Sequence, residues 1–175
     1  MVDRSLNDEA SLVAEDLGAV ETVGFEEFFA AEHARLYSAL CAVTGNTQEA
    51  EEIMQEAFLR LWERWERISS IEDPVGYLYR TAMNVFRQRL RRAKVAVRKA
   101  VRPAEHEDAY EEVDSREVVI QGLRALQPRQ RAAVVLTSLR GFSSEEAAEM
   151  LGLSPGAVRM LATRGRASMR KAVSP

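Results

Sequence analysis

Arg159, Arg164 and Arg166 fall in a short C-terminal stretch that also offers Ser154, Gly156, Ala157, Met160 and Thr163 as small, polar or unbranched positions. Carried on one helix, such a set can enter the major groove of duplex DNA. One arginine reads a guanine edge through two parallel hydrogen bonds, and others hold phosphates and fix the register. The spacing gives the reading role to Arg159 and phosphate contacts to Arg164 and Arg166. A second set, Tyr77, Arg80, Asn84, Arg87 and Arg91, recurs at steps of three and four residues, so on a helix it shares one face. Such a face suits single-stranded or partly melted DNA: arginines take the backbone, an amide takes a base edge, and an aromatic ring stacks on an unpaired base. A third set, Glu52, Gln55, Glu56, Leu59 and Arg60, marks the outward side of an acid-rich helix. An apolar Leu59 among charges there suits a protein-binding surface. Each set also has a plain reading. The first fits a helical hairpin with solvated arginines, the second a solvated basic face, and the third a charged solvent face.

Reactive chemistry finds little support. No nucleophile, histidine or metal partner adjoins the acids of the third set. His33 and His106 lie far apart, and Cys41 is the single cysteine, so neither an internal disulfide nor a His/Cys zinc site is expected. With no glycine-rich phosphate loop either, the sequence predicts no enzyme, no catalytic residue, no metal and no cofactor. Cys41 reads as a small buried apolar residue, and Trp62 and Trp65 read as core. Apolar runs such as Ala132-Ala133-Val134-Val135-Leu136 are far shorter than the roughly 20 residues of a membrane span. The acidic N-terminus lacks a basic-then-apolar leader, so no membrane insertion and a cytoplasmic location are expected.

The elements that must carry these sets are helical. At 175 residues the chain allows one ordinary domain or two small ones. No stretch alternates with period two, which predicts an all-α fold without sheet. Residues 1–23 read as an acidic flexible tail. Phe25, Phe28, Phe29, Leu36, Leu40 and Val43 form a first stripe, stopped by Gly45-Asn46. Thr47 reads as the cap of a helix to Arg67, with Ala50, Ile53, Met54, Ala57, Phe58, Leu61, Trp65 and Ile68 inward. Asp73-Pro74 starts a helix to about Arg92, with Val75, Leu78, Ala82, Val85, Phe86 and Leu90 inward. Residues 93–115 lose periodicity and read as a flexible acidic linker between two helical domains. In the second domain, Val118, Val119, Leu123 and Leu126 form one stripe, and Ala132, Val135, Leu136 and Leu139 another, opened by Pro128 and stopped by Gly141. Ser143 caps a third helix that ends at Gly152, and Ser154-Pro155 opens a fourth. From Ser143 to Arg166 this is helix, turn, helix: Ala148 is small where the second helix crosses, Gly152 sits in the turn, and Val158 fills the wedge.

Charge is segregated along this plan. Residues 74–102 hold nine bases and no acid, whereas residues 103–117 hold seven acids against Arg116. Residues 1–24 hold six acids against Arg4, and residues 128–175 eight bases against three acids. Blocks of this kind suit polyanion-binding faces separated by acidic connectors, and equally suit solvated helix faces with an acidic connector.

Three segments resemble domain 2 of bacterial extracytoplasmic-function (ECF) sigma factors of the sigma-70 family: Phe25-Glu26-Glu27-Phe28-Phe29, the run from Ala50 through Gln55-Glu56-Ala57-Phe58 to Trp62, and Asp73-Pro74 through Tyr77 to Asn84. Leu126-Gln127-Pro128 through Gly141-Phe142-Ser143 to Leu151-Gly152-Leu153-Ser154 and Val158 is similar to their domain 4. The resemblance implies domain 2 over residues 24–92 and domain 4 over residues 116–173. It implies that Glu52, Gln55, Glu56, Leu59 and Arg60 dock on the clamp coiled coil of core RNA polymerase, with further contact at its flap region. Tyr77, Arg80, Asn84, Arg87 and Arg91, with the loop before them, would hold the melted −10 element of promoter DNA. The helix from Ser154 would read the −35 element, and an anti-sigma factor would be a partner. The chain departs from the usual pattern at Glu52, at Gly76-Tyr77, at Ala147, and in the more apolar Ala157, Met160, Leu161 and Ala162. The alternative is a conventional helix-turn-helix regulator with an N-terminal dimerisation or ligand domain, which has no need of the basic Tyr77–Arg91 face.

Overall fold

The computed structural model describes residues 24–99 and 115–173. The acidic tail (1–23) and residues 100–114 of the linker lie outside the described residues. The described residues form eight α-helices and one π-helical turn, and no strand occurs among them.

Helix α1 (Phe25–Thr44) buries Phe28, Leu36, Ala39, Leu40 and Val43. Gly45 ends it in the left-handed conformation (φ 73°), where its N–H donates to the Cys41 carbonyl. Helix α2 (Thr47–Trp62) turns back along it and buries Ala50, Ile53, Ala57, Phe58 and Leu61. The cap is Asn46, not the expected Thr47. Asn46 holds the last extended backbone before the helix, and its side chain accepts the Glu49 N–H at 2.9 Å. The single helix expected to Arg67 is broken at Glu63-Arg64 and resumes as α3 (Trp65–Ile68). The break separates the two tryptophans. Trp65 packs against the Phe25 and Phe28 rings at 5.4 and 5.0 Å, whereas Trp62 is 60% exposed, against its expected place in the core. Cys41 is half-buried beside Tyr37 and not fully enclosed, although burial still pushes its thiol pKa up.

Helix α4 (Pro74–Lys99) starts where Asp73 Oδ1 accepts the Gly76 N–H at 2.7 Å. A Cβ at Gly76 would meet that carboxylate and require the Asp73 side chain to shift. The helix continues to Lys99, about two turns beyond the expected end at Arg92. Leu78, Ala82, Val85 and Phe86 are buried as expected, but so are Tyr79 and Met83 on a second face.

The second unit consists of α5 (Ser115–Arg124), α6 (Pro128–Val134), a π-helical turn (Val135–Leu139), α7 (Ser144–Leu151) and α8 (Pro155–Val173). Gly165 lets α8 cross tightly over α6, since a Cβ there would meet Val134 at 2.6 Å. Two residues expected inward are not. Leu139 is 53% exposed because the π turn breaks the 3.6-residue rhythm that would have turned it in. Val119 is exposed too, and nothing among the described residues covers it.

The two helical units are also packed on each other through a continuous apolar core. The Phe142 ring meets the buried Tyr79 ring edge-on at 5.0 Å, and the Arg140 guanidinium lies 5.3 Å from the same ring centre. Arg131 reaches the C-terminal end of α1 beside Gly45, where carbonyl dipoles favour a cation. No helix of the described residues is long and apolar enough to cross a membrane.

Candidate nucleic-acid interface

Local sequence builds the α7–α8 pair. Ser143 Oγ accepts the Glu146 N–H at 3.1 Å, and Glu146 Oε2 accepts the Ser143 N–H at 2.7 Å, a reciprocal cap. That backbone N–H, then the hydroxyl, holds the Glu146 carboxyl below the ordinary glutamate range. Gly152 takes the turn at φ 60°. Ala148, Leu151, Val158 and Ala162 are buried between the helices. Ser154 Oγ accepts the Ala157 N–H at 3.2 Å and so caps α8, which occupies one acceptor site of that candidate contact. Gly156, Arg159, Met160, Thr163, Arg164 and Arg166 are all exposed along α8, and Ala157 is half-buried. Arg159 donates to Glu145 Oε1 at 3.2 Å, but both side chains are largely in water, so the pair is weak and easily exchanged for another acceptor. Arg166 donates to Ser138 Oγ at 3.2 Å and to Thr163 Oγ1 at 3.4 Å.

The α4 set is divided. Asn84 is exposed, and its Oδ1 accepts from Arg87 Nη1 at 3.0 Å. Arg91 is exposed, and Tyr77 is half-buried against the core. Arg80 Nη2 pairs with Glu149 Oε2 of α7 at 3.2 Å, and the Arg87 guanidinium lies against Gly152. Arg87 and Arg91 meet Arg129 of α6 around a cleft floored by Phe86, Leu90 and Leu153.

On α2, Glu52 and Glu56 share Arg89 of α4, at 2.6 and 3.5 Å, and Glu56 also accepts from Arg60 at 2.6 Å. The Arg89 hydrogen bond lowers the Glu52 carboxyl pKa. Gln55 donates to Glu51 at 3.2 Å. Leu59 is 55% exposed, and Trp62 stands one turn on, also exposed. The third set is therefore brought together as one surface, with two members that sequence reasoning missed. Trp62 is found at three residues from Leu59 once the helix is seen to stop there. Arg89 lies on a different helix, and no local pattern in α2 points to it.

The family described as Sigma-70 region 2 matches residues 28–95, and that described as Sigma-70, region 4 matches residues 116–169. The RNA polymerase sigma factor CarQ of Myxococcus xanthus is 30% identical over 152 residues, covering 84% of this chain and 87% of that protein. The RNA polymerase sigma-E factor of Streptomyces coelicolor is 28% identical over 153 residues, 86% of each chain. This chain belongs to the ECF group of sigma-70 family sigma factors. The fold agrees: the sigma factor RpoE of Bartonella quintana, solved in complex with the anti-sigma factor NepR, superposes with a TM-score of 0.69 at 20% identity, over 85% of this sigma factor and 96% of that chain. As a sigma factor the protein is a transcription initiation factor that directs RNA polymerase to promoters. The regulator alternative is not favoured, because the sigma regions match both helical units and not the helix-turn-helix alone.

Proposed function

We propose a division of labour among the three faces. Glu52, Gln55, Glu56, Leu59, Arg60 and Trp62 dock on the clamp coiled coil of core polymerase, with the second unit reaching the flap region. The α4 face, Tyr77, Arg80, Asn84, Arg87 and Arg91, holds the −10 element once melted. The face of α8, Ser154, Gly156, Ala157, Arg159, Met160, Thr163, Arg164 and Arg166, reads the −35 element as duplex. Domain 2 spans residues 24–92 and domain 4 residues 116–173, with the acidic linker between them. The protein works on cytoplasmic polymerase, without catalytic residues or cofactor of its own, and an anti-sigma factor of the kind bound to the Bartonella RpoE restrains it.

The observation that carries the reading is the coexistence of an exposed basic α8 on a capped helix-turn-helix with a separate arginine–asparagine face on α4. A single DNA-binding module needs only the first. Run-off transcription with purified core polymerase on genomic DNA tests it. Discrete starts that require this chain are expected, and an absence of core-dependent starts refutes it. Leu59→Ala with Trp62→Ala is expected to weaken core binding while leaving the fold intact, because both side chains already lie mostly in solvent.

A further inference from the structure

Arg87 and Arg91 of α4 and Arg129 of α6 stand around one cleft, and none of the described residues lining it is acidic. Among the described residues, no carboxylate pairs with any of the three. Arg35, Arg60, Arg89 and Arg159, by contrast, each hold a carboxylate between 2.6 and 3.2 Å. Arg87 is half-buried and held in place. Its Nη1 donates to Asn84 Oδ1 at 3.0 Å, and its guanidinium lies against Gly152, which has no side chain to push it away. That bond uses one of five N–H donors. Three like charges around one cleft repel one another, and an anion shared by all three relieves the repulsion. A phosphate suits them better than a carboxylate, because it carries nearly two charges and three terminal oxygens for the planar guanidinium forks.

The floor adds a second preference. Phe86 is buried beneath it, while Leu90 and Leu153 are half-buried and offer apolar surface beside the arginines. The cleft leaves about 80 Å³ to the centres of water molecules. At roughly 10–15 Å³ each, that is room for several waters, so a phosphate and part of a compact body fit. The walls are α4 on one side and α6 with the Gly152 turn on the other.

We propose that this cleft is a binding site for a small phosphate ester. Its terminal phosphate is shared by Arg87, Arg91 and Arg129, and its planar or apolar body lies over Leu90 and Leu153. The site goes beyond the assignment of α4 to the −10 element. It draws two arginines from that face, but its third, Arg129, belongs to no face assigned to DNA or polymerase.

The test is calorimetric titration of the full chain at fixed ionic strength with ADP, inorganic pyrophosphate and adenosine. ADP is expected to saturate a single site with a Kd below about 1 mM. Pyrophosphate, which has the charge without the body, is expected to bind about threefold or more weakly. Adenosine is expected to give no saturable heat. Arg129→Gln, at an exposed position, should weaken ADP by about tenfold or more at unchanged helicity. Arg129→Lys keeps the charge but loses the fork, and should fall between. Arg170→Gln, an exposed cation outside the cleft, should leave ADP binding unchanged. No saturable ADP binding at millimolar concentration overturns the site. So does equal loss in the Arg129→Gln and Arg170→Gln variants, which marks diffuse attraction to a basic surface. ADP no tighter than pyrophosphate overturns the ester class. An Arg129→Gln defect confined to single-stranded −10 DNA gives that arginine to nucleic acid and overturns the proposal. A wild type that opens no promoter while still binding ADP overturns only the −10 assignment, so the two readings fail separately.

Discussion

The α4 and α8 faces carry similar chemistry, several arginines with small or amide side chains among them, but their surroundings differ. On α8 the exposed set is bordered by solvent, and its contacts, such as Arg159 with Glu145, are surface pairs. On α4, Arg80 and Arg87 lie against the other unit, and Tyr79 and Met83 beside them are fully buried. A helix that serves one partner can be amphipathic with a single stripe. A helix packed on its own core and on another unit must carry apolar groups inside its basic face. The contrast between Met83, fully buried, and Met160, 47% exposed, is the cleanest measure of that difference.

The largest effect is therefore expected at those two methionines. Met83→Ala should cost about 2–5 kcal/mol of unfolding stability in chemical denaturation. Met160→Ala should stay within about 0.5 kcal/mol. Equal small effects would mean that the second buried face of α4 is open in solution. Next in size is base reading. Arg159→Ala should lose about 1–3 kcal/mol of discrimination at one or two positions of the −35 element, measured by binding to a panel of substituted promoters. An unchanged preference at every position removes Arg159 from the reading role. The counterpart on α4, Asn84→Ala with Arg87→Ala, should slow promoter opening in a permanganate footprint while core binding holds, and normal opening would end the single-strand assignment. Smaller again is the cap of the helix-turn-helix: Ser143→Ala should cost about 1 kcal/mol in thermal unfolding.

The smallest effect is in acid. Glu146 is held below the ordinary value of 4.5 by the Ser143 N–H and hydroxyl. A depressed carboxyl contributes its full stabilisation above the unfolded-state value and loses it as pH falls through the lower folded-state value. Glu146→Gln should therefore flatten the acid-side decline of stability below about pH 4.5, with little change in slope near neutrality. An identical acid slope in wild type and variant would show that the cap does not hold the charge.

Much of the fold was legible because helix ends are written in short-range chemistry. Gly45, Asp73-Pro74, Ser143, Gly152 and Ser154-Pro155 act through backbone groups within four residues, and each stands where the structure turns. The stripes of α1, α2 and the first face of α4 were readable for the same reason. The departures arise from contacts distant in sequence or from broken rhythm. Tyr79 and Met83 do stand four residues apart, but a pair off the main stripe has meaning only when another unit covers it. Trp62 was misplaced because a large indole was read as core by residue type, although it stands three residues from Leu59 on the outward side of α2; the helix break after it, at Glu63-Arg64, is marked by no glycine or proline. The three sets of candidate contacts were each legible as faces, but not the packing of Arg80 and Arg87 against the second unit, since Glu149 and Gly152 lie more than sixty residues away along the chain.

The π-helical turn at Val135–Leu139 has a bearing on how this architecture tolerates change. Arg140 donates its N–H back to Val135, and Phe142 to Leu136, so the chain gains one residue relative to a regular spiral before the corner. That surplus residue works like a shim. It rotates the residues after it, leaving Leu139 facing outward while Arg140 and Phe142 swing onto the tyrosine ring. Trimming a single residue there would restore a smooth spiral and re-aim the corner, changing how the two units meet without altering any side chain of the α4 and α8 faces.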